Sequence, residues 1–192
     1  MEAFWISFAT VSVAEVGDRS MLLALILGLR NQRPWAIFFG MVLGLLANQA
    51  LAGLVGVVLF SWFAGNWHQW VMGAVFILMA IWLLRPESEA EEVKDELSNT
   101  GVFLAAALMF FAAEMADKTQ LAVVALAGTY QVFLPVVMGA SLGLIAVTGP
   151  ALWFGNKFAT RLPVKGIKYF GAVMFVLFGL LAFAQAAGLL SK

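Results

Sequence analysis

The chain has 192 residues, 63% of them hydrophobic and only 11% charged, with a mean hydropathy of +0.96. A water-soluble domain of this size would need far more charge to cover its surface, so the composition implies an all-α membrane protein with a lipid-facing exterior. Net charge is zero, cysteine is absent and His68 is the one histidine, which argues against disulfide frameworks, catalytic thiols, imidazole-built zinc or copper sites and nucleic-acid binding.

Spanning the hydrocarbon takes roughly 20 apolar residues as helix, and six segments qualify: about 3–30, 35–63, 68–84, 101–128, 132–155 and 167–190. The first lacks a basic leader, since Glu2 is the only charge before position 15, and it reads as a retained helix rather than a cleaved signal. Loop signals separate the segments: Asn31 to Pro34, Gly65-Asn66, Arg85 to Thr100, Gly128-Thr129, and Asn156 to Gly166 with Pro163. The third helix is short, and Trp67, Trp70 and Trp82 near its ends suit interfacial anchors.

The basic residues fall in alternate loops: Arg30 and Arg33, then Arg85 and Lys94, then Lys157, Arg161, Lys165 and Lys168. The positive-inside rule puts those loops in the cytoplasm and both termini outside it, in a plasma membrane of bacterial type. The third loop also carries Glu87, Glu89, Glu91, Glu92, Asp95 and Glu96. It reads as a solvated linker that could also raise the local cation concentration.

This loop, 85–100, divides the chain into two halves of three helices, 1–84 and 101–192. A shift of 99 residues superposes Glu15 on Glu114, Asp18 on Asp117, Leu22 on Leu121, Gly40 on Gly139, Gly44 on Gly143, Leu45 on Leu144, Ala47 on Ala146 and Gly56 on Gly155. Three is an odd number of crossings, so the second copy enters from the opposite face. The expected architecture is a pair of inverted repeats with a site at their interface near mid-membrane.

Seven of the eleven acidic residues are Glu2 and the six of the loop; the other four are Glu15, Asp18, Glu114 and Asp117, deep in apolar helices. An Asp there costs about 2.5–3.5 kcal/mol even on the mildest scale, so such groups face each other, water, protons or a cation. Arg19 and Lys118, four residues after each Glu, offer internal balance, but two bases against four acids leave two negative charges, the charge of one divalent ion. Residues three apart share a helix face, so each Glu–Asp pair makes one patch, and the two patches together make an all-oxygen cage suited to Ca²⁺, Mn²⁺ or Mg²⁺. Ser20 and Thr119 could add hydroxyls, and Gln49 and Thr148 superpose mid-membrane as further candidates. Gly17 offers a point of unwinding, and Gly149-Pro150 should kink or interrupt the fifth helix. The glycines at three- and four-residue spacing read as close helix packing.

The doubled motif, Glu15-Val-Gly-Asp18-Arg19-Ser20 and Glu114-Met-Ala-Asp117-Lys118-Thr119, resembles the signature of the manganese/calcium transporter family whose eukaryotic members reside in the Golgi. The resemblance spans the whole chain. It implies cation–proton antiport, with manganese export in the short bacterial members, no cofactor and no enzymatic activity. It makes Glu15, Asp18, Glu114 and Asp117 the ion ligands, Ser20 and Thr119 the motif ends, and Arg19 and Lys118 the basic position. One departure is Ala116 where the pattern has glycine, from which the fourth helix is expected to stay more regular than the first.

The expectation is thus an exchanger moving Mn²⁺, alternatively Ca²⁺, outward against protons, as a monomer or homodimer in the bilayer. Its rivals are a six-helix exporter of small solutes such as amino acids, a passive cation channel, and an intramembrane aspartyl protease using Asp18 and Asp117. The last lacks the Gly-x-Gly-Asp such a dyad needs, because position 15 is Glu.

Overall fold

The computed structural model describes residues 1–30, 33–62, 67–84, 99–115, 117–159 and 164–189; the acidic stretch 87–96 lies outside them. The described residues form eight helices and no strand: α1 (Glu2–Glu15), α2 (Arg19–Arg30), α3 (Pro34–Ser61), α4 (Trp67–Leu83), α5 (Asn99–Ala113), α6 (Lys118–Tyr130), α7 (Phe133–Ala159) and α8 (Val164–Ala186). α3 opens on Pro34, where the missing N–H costs no helical bond. The outside is apolar: Leu54, Leu104, Leu108, Phe154 and Phe170 are each more than half exposed, an arrangement that suits a hydrocarbon solvent and not water. By length and apolarity Pro34–Ser61, Phe133–Phe154 and Tyr169–Ala186 can each cross a membrane, and the bent pair Thr100–Ala113 with Lys118–Tyr130 is apolar enough for a broken span or a re-entrant loop.

Two expected helices are each broken in two, which is why eight replace six. The first stops at Glu15; Val16 is extended and Gly17 takes φ 77°, a left-handed conformation that glycine adopts without strain. α2 then restarts at Arg19. The expectation that the fourth helix would stay more regular is overturned: α5 ends at Ala113, α6 begins at Lys118, and the two meet at 74°. A glycine is therefore not common to the two breaks. Asp is a preferred residue just before a helix, and Asp117 holds that position with extended backbone, φ −86° and ψ 168°. The main-chain bonds repeat across the two breaks. Asp18 N–H donates to the Glu15 carbonyl at 3.0 Å and Leu22 N–H to Asp18 at 3.0 Å; Asp117 donates to Glu114 at 3.4 Å and Leu121 to Asp117 at 3.3 Å. At Gly149-Pro150 the opposite correction applies, because α7 runs through Pro150 uninterrupted. A freed carbonyl inside a bundle can be satisfied by its neighbours without ending the helix.

Nearly all of the extensive helix–helix packing joins one half of the chain to the other: α1 on α7, α3 on α5 and α6, α4 on α8, and α2 on α7. Glycines set the closest approaches. A Cβ on Gly40 would strike the Phe103 carbonyl, and one on Gly44 the Ala107 carbonyl and Phe111 nitrogen. Across the other seam, Gly139 lies against the Phe4 carbonyl and Gly143 against the Phe8 carbonyl and Ser12 nitrogen. Residue numbers rise together along each seam, so α5 runs parallel to α3, and α1 parallel to α7.

Candidate metal centre

Each motif sits on a helix break, so its residues are distributed in the same way twice: Glu by the end of one half-helix, Asp just before the next, and the base and hydroxyl in the next one's first turn. Half-helix ends leave carbonyls and N–H groups without helical partners, which gives the breaks a polar lining inside an apolar bundle. Glu15, Asp18, Ser20, Glu114, Lys118 and Thr119 are all buried, each at most 3% exposed. Asp117 is half-buried, and Arg19 is exposed.

The two motifs meet. Lys118, from the second, forms an ion pair with Asp18, from the first, and its ammonium stands 3.8 Å from Asp117. Each glutamate is held by the hydroxyl five residues on: Ser20 donates to Glu15 Oε1, and Thr119 donates to Glu114 Oε2 at 2.7 Å. Glu15 Oε2 has no hydrogen-bond partner in the protein. Among the described residues, no three acidic or histidine side chains are gathered on one point as metal ligands. The carboxylates are instead bonded to an ammonium and two hydroxyls, which are the groups a cation would have to displace.

Several sequence expectations change here. The two bases are not equivalent: Lys118 reaches across to Asp18, while Arg19 is exposed. The buried part of the site therefore holds one base, not two. Thr148, a further candidate for the ion site, donates back along its own helix to the Leu144 carbonyl at 2.8 Å. Gln49 is fully buried, and neither end of its amide has a partner. Asn48 donates to the Phe111 carbonyl at 3.1 Å, a bond that joins α3 to α5. Sequence reasoning did not single out Ser7, Thr10 and Ser141, which are also buried; Ser7 and Thr10 at i and i+3 on an apolar helix were the available signal.

A carboxylate, amide and hydroxyl set of this kind offers oxygen to a hard divalent ion and nothing soft. Comparison with known proteins agrees in direction. The profile of the family described as "Divalent cation/proton antiporter GDT1" matches residues 3–91 and 102–189. A Vibrio cholerae protein named "Putative manganese exporter" is 35% identical over 181 residues, covering 94% of this chain and 90% of the relative. A GDT1-like protein of Synechocystis is 26% identical over 202 residues, covering 95% and 97%. The Saccharomyces cerevisiae protein named "Divalent cation/proton antiporter GDT1" is 21% identical over 239 residues, covering 97% and 85%. No solved structure matches.

Proposed function

The chain belongs to the GDT1 family of divalent cation/proton antiporters, and we propose that its cargo is Mn²⁺, carried out of the cytoplasm in exchange for protons, with Ca²⁺ as the alternative ion. It is a transporter and not an enzyme. The observation that carries the site assignment is the buried meeting of the two motifs, Asp18 of one against Lys118 of the other. The name of the Vibrio relative supports manganese.

In this reading Glu15, Asp18, Glu114 and Asp117 bind the ion, with Ser20 and Thr119 orienting the glutamates. Lys118 competes with the cation for Asp18, so metal binding requires that ion pair to open. When the ion leaves an apolar site, protons are the remaining way to neutralise the carboxylates, and the same oxygens thereby couple the two fluxes. Gln49, with an unpartnered amide, is a further oxygen donor to the ion, and Thr148, whose proton goes to its own helix, keeps its oxygen lone pairs for the same purpose.

We further propose six crossings, with each broken pair, α1–α2 and α5–α6, serving as one span, and with the two halves inverted. Support comes from the two glycine seams, whose residues differ by 99 in every matched contact: Gly40–Phe103 and Phe4–Gly139, Gly44–Ala107 and Phe8–Gly143. Parallel seams are what alternating crossings require of a first span lying on a fifth and a fourth lying on a second. The loop charges put both termini on the non-cytoplasmic side of a bacterial inner membrane. Purified protein in liposomes tests the function directly. Mn²⁺ flux should follow an imposed proton gradient and be lost in Glu15→Gln and in Glu114→Gln; wild-type rates in both variants would refute the site.

A further inference from the structure

Helices α4 and α8 pack on each other, and the 99-residue shift turns one into the other. It carries Phe76 onto Phe175, and those two rings stack at 6.1 Å. The stack divides the seam into two ends built from matched positions. One end has Gly73 and Gly179 with Trp70 and Phe183; the other has their counterparts, Ala172 and Ala80 with Tyr169 and Leu84. The chain itself fills the first end. The Phe183 ring lies on Gly73 and 5.6 Å from Trp70, and Ile77 lies on Gly179. The second end is open: a groove of about 310 Å³ lies there. Buried Ala80 and Ala172 form its floor, and Ile81, Leu84, Tyr169 and Val173, each at least half exposed, form its walls.

The two ends also differ in charge. The open end adjoins the third and fifth loops, which the positive-inside rule puts in the cytoplasm. There α8 begins at Val164, with Lys165 and Lys168 in its first two turns. From Lys157 to Lys168 the sequence carries four basic residues and no acidic one. Around the filled end, residues 62–70 and 183–191 include no Lys, Arg, Asp or Glu. An open apolar groove thus lies beside positive charge, and its filled twin beside none.

We propose that the groove binds one anionic phospholipid of the cytoplasmic leaflet, an acyl chain lying over Ala80 and Ala172 and the headgroup level with the basic residues that open α8. Tyr169 then stands where tyrosines of membrane proteins collect, at the boundary between chain and headgroup, and basic residues beside a groove between helices are what select an anionic lipid. Two other occupants fit less well. A second copy, related by a two-fold axis along the membrane normal, would bring the basic starts of two α8 helices together. The acidic stretch from Glu87 to Glu92 carries no apolar side chain larger than Ala90, so it has nothing to fill a hydrocarbon groove. The choice of leaflet rests on the orientation proposed above; the groove and its charge do not.

Lipid titrated into the purified, delipidated protein in detergent, with bound lipid read by native mass spectrometry, tests both parts of the site. The wild type should bind phosphatidylglycerol about tenfold more tightly than phosphatidylcholine, and Lys165→Gln combined with Lys168→Gln should bring the two lipids within about twofold of each other. Leu84→Phe gives the open end the residue that fills the other one. It should weaken the first phosphatidylglycerol by about tenfold, since the chain loses its apolar seat. Leu104→Phe, at another exposed position, should bind as the wild type does. Should Leu84→Phe fail to accumulate, Val173→Phe fills the groove from its other wall. Equal binding of the two lipids by the wild type, a preference that survives the lysine double variant, or undiminished binding by the groove-filling variant overturns the proposal. So does a wild-type dimer that the groove-filling variant separates into monomers, because a second copy would then be the occupant.

Discussion

The two acidic motifs share their main-chain hydrogen bonds and differ in their electrostatics. Their helix breaks repeat bond for bond, Asp18 to Glu15 as Asp117 to Glu114, and Leu22 to Asp18 as Leu121 to Asp117. Their hydroxyls repeat as well, Ser20 on Glu15 and Thr119 on Glu114. The bases do not: Lys118 is buried against Asp18 while Arg19 is exposed, and Asp18 is buried while Asp117 is half-buried. Main-chain geometry follows from the local run of residue types, which both motifs share. Side-chain pairing depends on what the rest of the bundle leaves room for, and that differs between the halves.

Removing the bases tests this contrast most severely. Lys118→Met removes the ammonium paired with buried Asp18 and should cost about 3–5 kcal/mol of stability, the range for one member of a buried pair; Arg19→Met, at an exposed position, should stay within about 0.5 kcal/mol. Thermal unfolding in detergent measures both, and added Mn²⁺ should recover the lost stability in Lys118→Met alone. Equal effects would erase the asymmetry. The glutamates should instead behave alike: Glu15→Gln and Glu114→Gln are each expected to weaken Mn²⁺ binding by about 100-fold or more, since even outer ligands reach that figure, as read by titration calorimetry. A smaller matched effect is expected of Ser20→Ala and Thr119→Ala, about tenfold in affinity, because each removes one orienting bond. Smallest is Gly17→Ala, which puts a Cβ at φ 77° and should lower stability by about 1–2 kcal/mol. Ala already stands at the matching position of the second motif, Ala116, which lies outside the described residues.

Much of this was legible in the sequence. Apolar length placed the outer ends of the six expected segments to within a few residues but not the two breaks inside them, and the 99-residue shift matched the pairs that now line the glycine seams. The second break was missed because glycine was taken as the cause, when the shared signal was Asp followed by a base and a hydroxyl, a helix start. Pro150 does not interrupt α7: its ring removes one N–H, but α7 lies against α1, α2 and α3, and packing of that extent keeps a helix together through the defect. The Lys118–Asp18 pair was out of reach, since spacing rules join a base to residues one turn away and these two are brought together only by the tertiary fold. Gln49 could be placed mid-membrane, but whether its amide had a partner depended on the tertiary fold.

The exchange of packing between halves has a consequence for how the chain can be made. Each broken helix is clamped along the long helix of the other half, α1 on α7 and α5 on α3, while within either half contacts are sparse. Neither half is therefore expected to mature on its own as it leaves the ribosome, since α1 finds its packing partner only once α7 has been synthesised. Cut into two polypeptides at the acidic loop, 1–84 and 101–192 should each aggregate or be degraded when expressed alone, and should restore a monodisperse particle when co-expressed. The unit that folds is the interlocked pair.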